Sequence, residues 1–171
     1  MKLYHYVPKG SDVLKTGILS FAKNPKSNLN YYIERSGATN HADIVKWMES
    51  CFKGRSRGIR LLIEPLQYTE RSLRVKEFIE VADLVEIDVS ALEKDGLIEA
   101  IYVSPSIFGK EHEYQQDELL YKLSGLSEID FTPNDYNILD DEKDRRFAFL
   151  KYYLFVIKDG VIPQKYIKLV K

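Results

Sequence analysis

Hydrophobic and polar residues alternate along several short stretches of the chain, a pattern typical of strands with one buried face. The first stretch runs from Leu3 to Val7 and is closed by Pro8. Further strands are predicted at 18–22, 59–63, 84–89, 98–103, 147–157 and 166–170. Asp159 and Gly160 lie between the last two and predict a hairpin turn.

One segment, 41–52, has apolar residues at helical rather than strand spacing. The residues on its predicted buried face are Ile44, Val45, Met48, Cys51 and Phe52. Thr39 or Asn40 is the expected N-cap, and Gly54 ends the helix. Because Cys51 falls on this face, it is predicted to be a buried structural thiol. Trp47 falls off the face, at a core edge or on a contact surface.

Shorter helices are predicted at 11–15, 27–35, 70–81, 90–96 and 113–123, with Ser11, Ser27 and Ser90 as N-caps. Helices and strands do not alternate strictly, which disfavours a parallel sheet built from βαβ units. We therefore expect a single α+β domain over 1–171, with short helices around a mixed or antiparallel sheet.

The composition narrows the class of protein. The chain has 171 residues, of which 44% are hydrophobic, and a net charge of −1 that argues against general coating of nucleic acid. Cys51 is the single cysteine, so no internal disulfide forms and a reducing compartment is favoured. The longest apolar run, 152–157, is too short for a membrane span, and the N-terminus lacks a signal peptide. We expect a cytoplasmic protein, or one exported without a signal peptide, and no membrane partner.

Charge is unevenly distributed along the chain. Segment 22–76 has eleven Lys or Arg against five Asp or Glu, whereas 128–144 has seven acids and one Lys, and 151–171 has five Lys and one Asp. Two interpretations stay open. Opposite surface patches could simply be solvated, or Arg55, Arg57 and Arg60 could bind a phosphate-bearing ligand, since guanidinium groups bind phosphate bidentately.

Nucleotide, metal and hydrolase motifs are absent from the sequence. His5, His41 and His112 are far apart, so no metal site is predicted. His5 lies on the same face of its strand as Leu3 and Val7, and an inward imidazole needs a hydrogen-bond partner or a ligand. It is either a satisfied core histidine or a binding residue.

Both ends of the chain resemble ADP-ribosyltransferase-like domains. The front carries Leu-Tyr-His-Tyr-Val at 3–7 and Val-Leu-Lys-Thr-Gly-Ile-Leu-Ser at 13–20, and the back carries Ile-Pro-Gln-Lys-Tyr-Ile at 162–167. These segments are similar to those of DNA-modifying ADP-ribosyltransferase toxins and RNA 2′-phosphotransferases, where a strand ending in Tyr-His precedes a short helix. The middle of the chain carries no such similarity.

The resemblance implies a split, twisted sheet whose cleft binds NAD. His5 would hydrogen-bond the ribose on the nicotinamide side, and Tyr31 or Tyr32 would stack on nicotinamide. The candidates for holding the pyrophosphate are Arg55, Arg57 and Arg60. Tyr31 and Tyr32 have an alternative role, since adjacent aromatics on a short helix also anchor that helix to a core.

The family often carries a glutamate near the start of the penultimate strand, but 149–154 holds no carboxylate. Glu142 in the acidic segment is the expected catalytic substitute alongside His5, and Glu118 on the predicted helix 113–123 is the other option. Glu118 is otherwise a polar residue on the solvent side of that helix.

The sequence therefore leaves three candidate functions. The first is a bacterial toxin or effector that transfers ADP-ribose from NAD to a macromolecular acceptor. The second is a non-catalytic protein-interaction module of similar fold, which would bind its partner through a charged patch. The third is nucleic-acid processing through the arginines of 55–60 and the C-terminal lysines.

Overall fold

A computed structural model describes residues 1–67, 73–104, 118–119, 125–133 and 152–170. Within these ranges the helices are α1 (Val13–Thr16), α2 (Leu29–Ser36), α3 (His41–Cys51), α4 (Leu73–Glu80) and α5 (Val89–Lys94). The strands are β1 (Lys2–Pro8), β2 (Ile18–Leu19), β3 (Gly58–Leu61), β4 (Ala82–Asp88), β5 (Ile98–Ser104), β6 (Glu118–Leu119), β7 (Tyr152–Ile157), β8 (Val161–Ile162) and β9 (Ile167–Leu169).

The described strands form three sheets. One has the order β1-β4-β9, a second has the order β3-β7-β5-β6, and β2 pairs with β8. Every pairing between these strands is antiparallel. The prediction of an α+β fold with a mixed or antiparallel sheet and short flanking helices is confirmed, and the antiparallel alternative is the one observed among the described strands.

The second sheet has one apolar face and one mixed face, and its central strand β7 is buried on both. Phe155 pairs with Ile59 on one neighbour and with Ile101 on the other, and all three belong to the main core. Phe155 is fully buried, so truncating it to Ala should cost about 3–5 kcal/mol of folding free energy. On the opposite face, Leu154 pairs with Arg60 and with Tyr102.

The first and second sheets meet at one isolated bridge. The backbone N–H of Tyr4 donates to the Leu62 carbonyl at 2.8 Å, and the Leu62 N–H donates back to Tyr4 at 2.8 Å. A continued antiparallel ladder would next pair Tyr6 with Arg60. The Arg60 carbonyl instead accepts from the His5 side chain. The two strands therefore diverge at the residue that the sequence singled out.

A smaller core lies between α2 and α3. It consists of Phe21, Tyr32, Ile44 and Met48. The side chain of Asn40 accepts the backbone N–H of Asp43 at 3.0 Å, which identifies Asn40 as the N-cap of α3. The predicted helix 41–52 is confirmed to within one residue. Among the described helices, none is long and apolar enough to cross a membrane.

The prediction of a buried thiol at Cys51 is wrong. Cys51 is exposed, and its thiol lies 3.4 Å from the Trp47 carbonyl. The helix ends at this residue, and Phe52 is already extended, with φ −161°. The last turn of α3 therefore lies beyond the small core, although the periodicity places Cys51 on the apolar face.

The predicted C-terminal hairpin is also wrong. After the turn at Lys158–Gly160 the chain does not return along β7. Instead, β8 pairs with β2, and β9 pairs with β4 in the first sheet. Pro163 follows β8 and has no N–H to donate, so a continuous return strand is interrupted there.

Several other strand and helix boundaries in the structure differ from the predicted ones. The strand predicted at 18–22 is limited to Ile18–Leu19, and Asp88 rather than Ser90 caps α5 by accepting the Ala91 N–H at 3.0 Å. The helix predicted at 113–123 is contradicted at Glu118–Leu119, which form a strand against β5. The remainder of that segment lies outside the described residues.

Candidate functional site

His5 projects from β1 at the divergence of the two sheets. Its Nδ1 lies 2.7 Å from the Arg60 carbonyl oxygen. A carbonyl only accepts, so Nδ1 carries a proton and donates, which leaves the lone pair of the neutral ring on Nε2. Desolvation lowers the pKa of His5 below its ordinary value, against the opposing effect of the hydrogen bond to Arg60, and the Arg60 charge adds to the lowering. His5 therefore presents a hydrogen-bond acceptor at neutral pH.

Arg60 projects from β3 into a group of tyrosines. Its guanidinium carbon lies 4.6 Å from the centre of the Tyr152 ring and 5.5 Å from the centre of the Tyr31 ring. Cation–π contacts of this kind favour a planar cation over an aromatic face. We call His5, Tyr31, Tyr32, Arg60 and Tyr152 the Arg60 cluster.

The electrostatics of Arg60 are unusual for a desolvated cation. Burial alone would lower its pKa, but the hydroxyls of Tyr152, Tyr32 and Tyr31 outweigh that effect and raise it. A tyrosine hydroxyl offers a dipole and a hydrogen-bond acceptor rather than a counter-ion. Among the described residues, no carboxylate lies within 4.0 Å of the Arg60 guanidinium.

Tyr31 and Tyr32, predicted as alternatives, both approach Arg60 but play different parts. Tyr32 is buried in the small core, and desolvation raises the pKa of its hydroxyl. Tyr31 is only partly buried, and its ring packs edge-on against Tyr32 at 5.2 Å between centroids. Tyr32 thus anchors α2, as the structural alternative predicted, whereas Tyr31 presents a partly exposed ring beside the cation.

The three arginines predicted as candidates for binding phosphate have different surroundings in the structure. Arg55 lies over the Trp47 ring at 5.0 Å, and Arg57 forms an ion pair with Glu99. Arg60 alone of the three contacts His5. A phosphate-binding role for Arg57 conflicts with this internal counter-ion, whereas Arg55 and Arg60 have no carboxylate partner among the described residues.

The turn that carries Arg55 is fixed by its neighbours. Gly54 has φ +89°, and a Cβ there would lie 2.6 Å from Cγ1 of Val156. The Glu49 carboxylate accepts the backbone N–H groups of Gly54 and Ser56, each at 3.1 Å. These contacts explain why the segment between α3 and β3 turns tightly and directs Arg55 back toward α3.

Glu142, the predicted catalytic carboxylate, lies outside the described residues, so its role stays a prediction. Glu118 lies on β6 rather than on a helix. Within the described parts of the chain, no group of three or more His, Cys, Asp or Glu is arranged to hold a metal ion.

Sequence reasoning missed Tyr152 as a member of the cluster. Register explains its position, since Arg60 pairs with Leu154, and Tyr152 is two residues away on the same face of β7. The aromatic and β-branched run of β7 predicts a strand, but the sequence does not predict that this strand pairs with β3. Comparisons with models of protein families, with curated proteins and with solved structures gave no match.

Proposed function

We propose that the Arg60 cluster binds NAD and that the protein transfers ADP-ribose to a macromolecular acceptor, as a toxin or effector does. The observation that supports this most strongly is the desolvated Arg60 guanidinium, which lacks a carboxylate among the described residues. A charge removed from water is costly unless it is paired. A pyrophosphate would supply the missing negative charge, and its oxygens match the guanidinium fork.

The neighbouring groups fit the rest of the ligand. Tyr31 and Tyr152 offer aromatic faces for nicotinamide or adenine, and Nε2 of His5 can accept a hydrogen bond from a ribose hydroxyl. Because Nδ1 is held by the Arg60 carbonyl, the imidazole is fixed to the backbone of the residue that carries the cation. Such preorganised binding orients the glycosidic bond for reaction.

In the proposed reaction, the bond between the nicotinamide nitrogen and the ribose carbon breaks, and nicotinamide leaves with the bonding electrons. The ribose carbon passes through an oxocarbenium-like state and bonds to a nucleophile of the acceptor, whose proton passes to a base. Glu142 is the expected base and the expected negative charge beside the oxocarbenium.

Saturation-transfer NMR with NAD at millimolar concentration tests the binding step. We expect signals from the adenine and nicotinamide protons with the wild type and with Arg57→Gln, in which the altered arginine is already ion-paired. Arg60→Gln should lose them. His5→Asn keeps an N–H near the Arg60 carbonyl but removes the Nε2 acceptor, and should weaken the ribose contact. Absence of wild-type binding, or equal binding by Arg60→Gln, would contradict the proposal.

A non-catalytic module is the second candidate, favoured by the presence of Tyr152 rather than a carboxylate at the start of β7. It would bind without turnover. Release of nicotinamide from NAD, followed by chromatography and compared with Glu142→Gln, separates the two functions. Wild-type release that disappears in Glu142→Gln supports transfer chemistry, and no release despite NAD binding supports the module.

A further inference from the structure

Aromatic rings surround Arg55 at the turn between α3 and β3. We call Trp47, Phe52, Arg55 and Tyr102 the Arg55 group. The Arg55 guanidinium carbon lies 5.0 Å from the centre of the Trp47 ring and 5.6 Å from the centre of the Phe52 ring. Phe52 in turn stacks on Tyr102 with 4.0 Å between ring centroids. Direct contacts therefore join all four side chains, and none of them belongs to the Arg60 cluster.

The Arg55 group is accessible and also held in place. All four of its members are partly exposed. Trp47 packs against the small core between α2 and α3, so the sequence-based alternatives of a core edge and a contact surface both describe it. Tryptophan, tyrosine and arginine are the residue types that contribute most to binding between proteins. Because these side chains are already packed, little conformational freedom is lost when a partner binds them.

The positive charge of this turn is not neutralised by a contacting acid. Among the described residues, no carboxylate lies within 4.0 Å of the Arg55 guanidinium or of the exposed Lys53 ammonium. Glu49 is close in sequence, but its two carboxylate oxygens accept backbone N–H groups of the turn, each at 3.1 Å. The surface around Arg55 therefore complements a negatively charged partner.

The ring contacts indicate which kind of negative group fits. A guanidinium that lies over a ring still has N–H groups in its own plane, and their fork matches a carboxylate. Stacked nucleobases would need open ring faces, but Arg55 lies over Trp47 and Phe52, and Tyr102 stacks on Phe52. A second copy related by two-fold symmetry would bring the same cationic surface against itself. A carboxylate from a different protein avoids both difficulties.

We propose that the Arg55 group is a docking site for an acidic segment of another protein. A glutamate or aspartate of that segment accepts two hydrogen bonds from the Arg55 guanidinium. An aliphatic side chain beside this carboxylate contacts the exposed parts of the Trp47 and Tyr102 rings. The docking site shares no residue with the Arg60 cluster, so docking depends neither on NAD binding nor on transfer of ADP-ribose.

The fluorescence of Trp47 provides a direct test, because Trp47 is the single tryptophan of the chain. The probe is a short synthetic peptide that repeats Glu-Glu-Leu, and the matched control peptide repeats Gln-Gln-Leu. The glutamate peptide should change the Trp47 emission until the site is saturated, and its affinity should fall as salt is added. The glutamine peptide should bind at least about tenfold more weakly, since it lacks the charge that strengthens the hydrogen bonds.

Three variants separate the guanidinium fork from general charge, and all of them retain Trp47 as the reporter. Arg55→Gln should weaken binding of the glutamate peptide about tenfold, because the charge-assisted hydrogen bonds are lost. Arg55→Lys keeps the charge without the planar fork and should restore only part of that loss. Arg57→Gln alters an arginine of the same turn that is ion-paired with Glu99, and its affinity should stay within about twofold of wild type. Far-UV circular dichroism checks that each variant is folded.

Four results would overturn the proposal. They are no binding of the glutamate peptide at low salt, equal binding of the glutamine peptide, unchanged affinity in Arg55→Gln, and tighter binding of oligodeoxythymidine than of the glutamate peptide. A dimer in size-exclusion chromatography that Arg55→Gln dissociates would likewise overturn it, since the occupant would then be a second copy.

NAD binding by NMR distinguishes this proposal from the proposed function. Failure of the glutamate peptide with intact NAD binding overturns only the docking site. Failure of NAD with intact peptide binding overturns only the proposed function. Arg55→Gln should bind NAD as wild type does, because Arg55 is not part of the Arg60 cluster.

Discussion

Two groups of side chains in this protein pair a cation with tyrosine and differ in one component. In the first, Lys165 lies over the Tyr166 ring at 4.6 Å, and both Lys165 and the Tyr166 hydroxyl bond to Asp95. The Tyr166 hydroxyl, and then Lys165, hold the pKa of Asp95 below its usual range. The Arg60 cluster has the cation and the rings but, among the described residues, no carboxylate.

That difference separates a structural cluster from a candidate binding site. The Asp95 cluster satisfies its own charge, so it needs no ligand. Among the described residues, Arg60 is desolvated without a carboxylate counter-ion, so no ion pair offsets its desolvation cost until an external anion completes it. Sites that bind ligands often retain such local instability, and substitutions there often stabilise the free protein.

The largest expected effect comes from removing the Arg60 cation. Arg60→Met should weaken NAD binding about a hundredfold, since two charge-assisted hydrogen bonds contribute about 1.5 kcal/mol each. The free variant should be no less stable than wild type in urea unfolding, because the charge that is lost is desolvated and has no carboxylate partner among the described residues. Lys165→Met is the matched control and should leave NAD binding unchanged. A clear loss of stability in Arg60→Met would show that the cation is structural.

A smaller effect on NAD binding should follow from adding a carboxylate to the Arg60 cluster, which has none among the described residues. Tyr152→Glu places a carboxylate beside the guanidinium and should weaken NAD binding about tenfold through internal pairing. Tyr152→Gln has a similar shape without the charge and separates competition from loss of the ring. If calorimetry shows that the two variants bind NAD equally well, then binding does not depend on NAD supplying a negative charge to Arg60.

A pH effect on stability is expected from His5. The pKa of His5 in the folded protein is lowered, chiefly by desolvation. The contribution of His5 to folding stability is therefore present above the ordinary pKa of 6.5, and it is lost as the pH falls through the pKa of the folded protein. Urea unfolding between pH 7 and pH 5 should show a steeper decline for wild type than for His5→Asn. Parallel curves would indicate that the imidazole is not desolvated.

The smallest effect is expected at the exposed Asp95 cluster. The lowered pKa of Asp95 contributes stability above the ordinary value of 3.8, and this is lost as pH falls through the folded value. Asp95→Asn should therefore be less stable than wild type at pH 7, and the difference should shrink toward pH 3. NAD binding should not change. A difference that is constant with pH would contradict the assigned ion pair.

Local signals predicted the elements of this fold well. The alternation of β1, the N-cap Asn40 and the periodicity of α3 are confirmed because each depends on near neighbours in the chain. The predicted hairpin failed because an Asp-Gly turn specifies only that the chain bends there. The strand that follows then paired in another sheet.

The candidate site shows the same division. His5 could be singled out because an imidazole on an inward strand face needs a partner. Its partner, the Arg60 carbonyl, is 55 positions away, and no local pattern indicates which strand lies beside β1. Tyr152 was missed for the same reason, since only the pairing of β7 with β3 brings its ring over Arg60.

The sequence by itself determined the α+β class, the extent of α3 and the residue types available for chemistry, since these follow from periodicity and backbone preferences. Only the tertiary structure decided which of three nearby arginines has an internal counter-ion. Arg57 meets Glu99, whereas Arg60 meets tyrosine rings. Strand register directs these arginines toward different surroundings. The burial and the ion pairing of each guanidinium then depend on residues far away in the chain, so no short stretch of sequence encodes them.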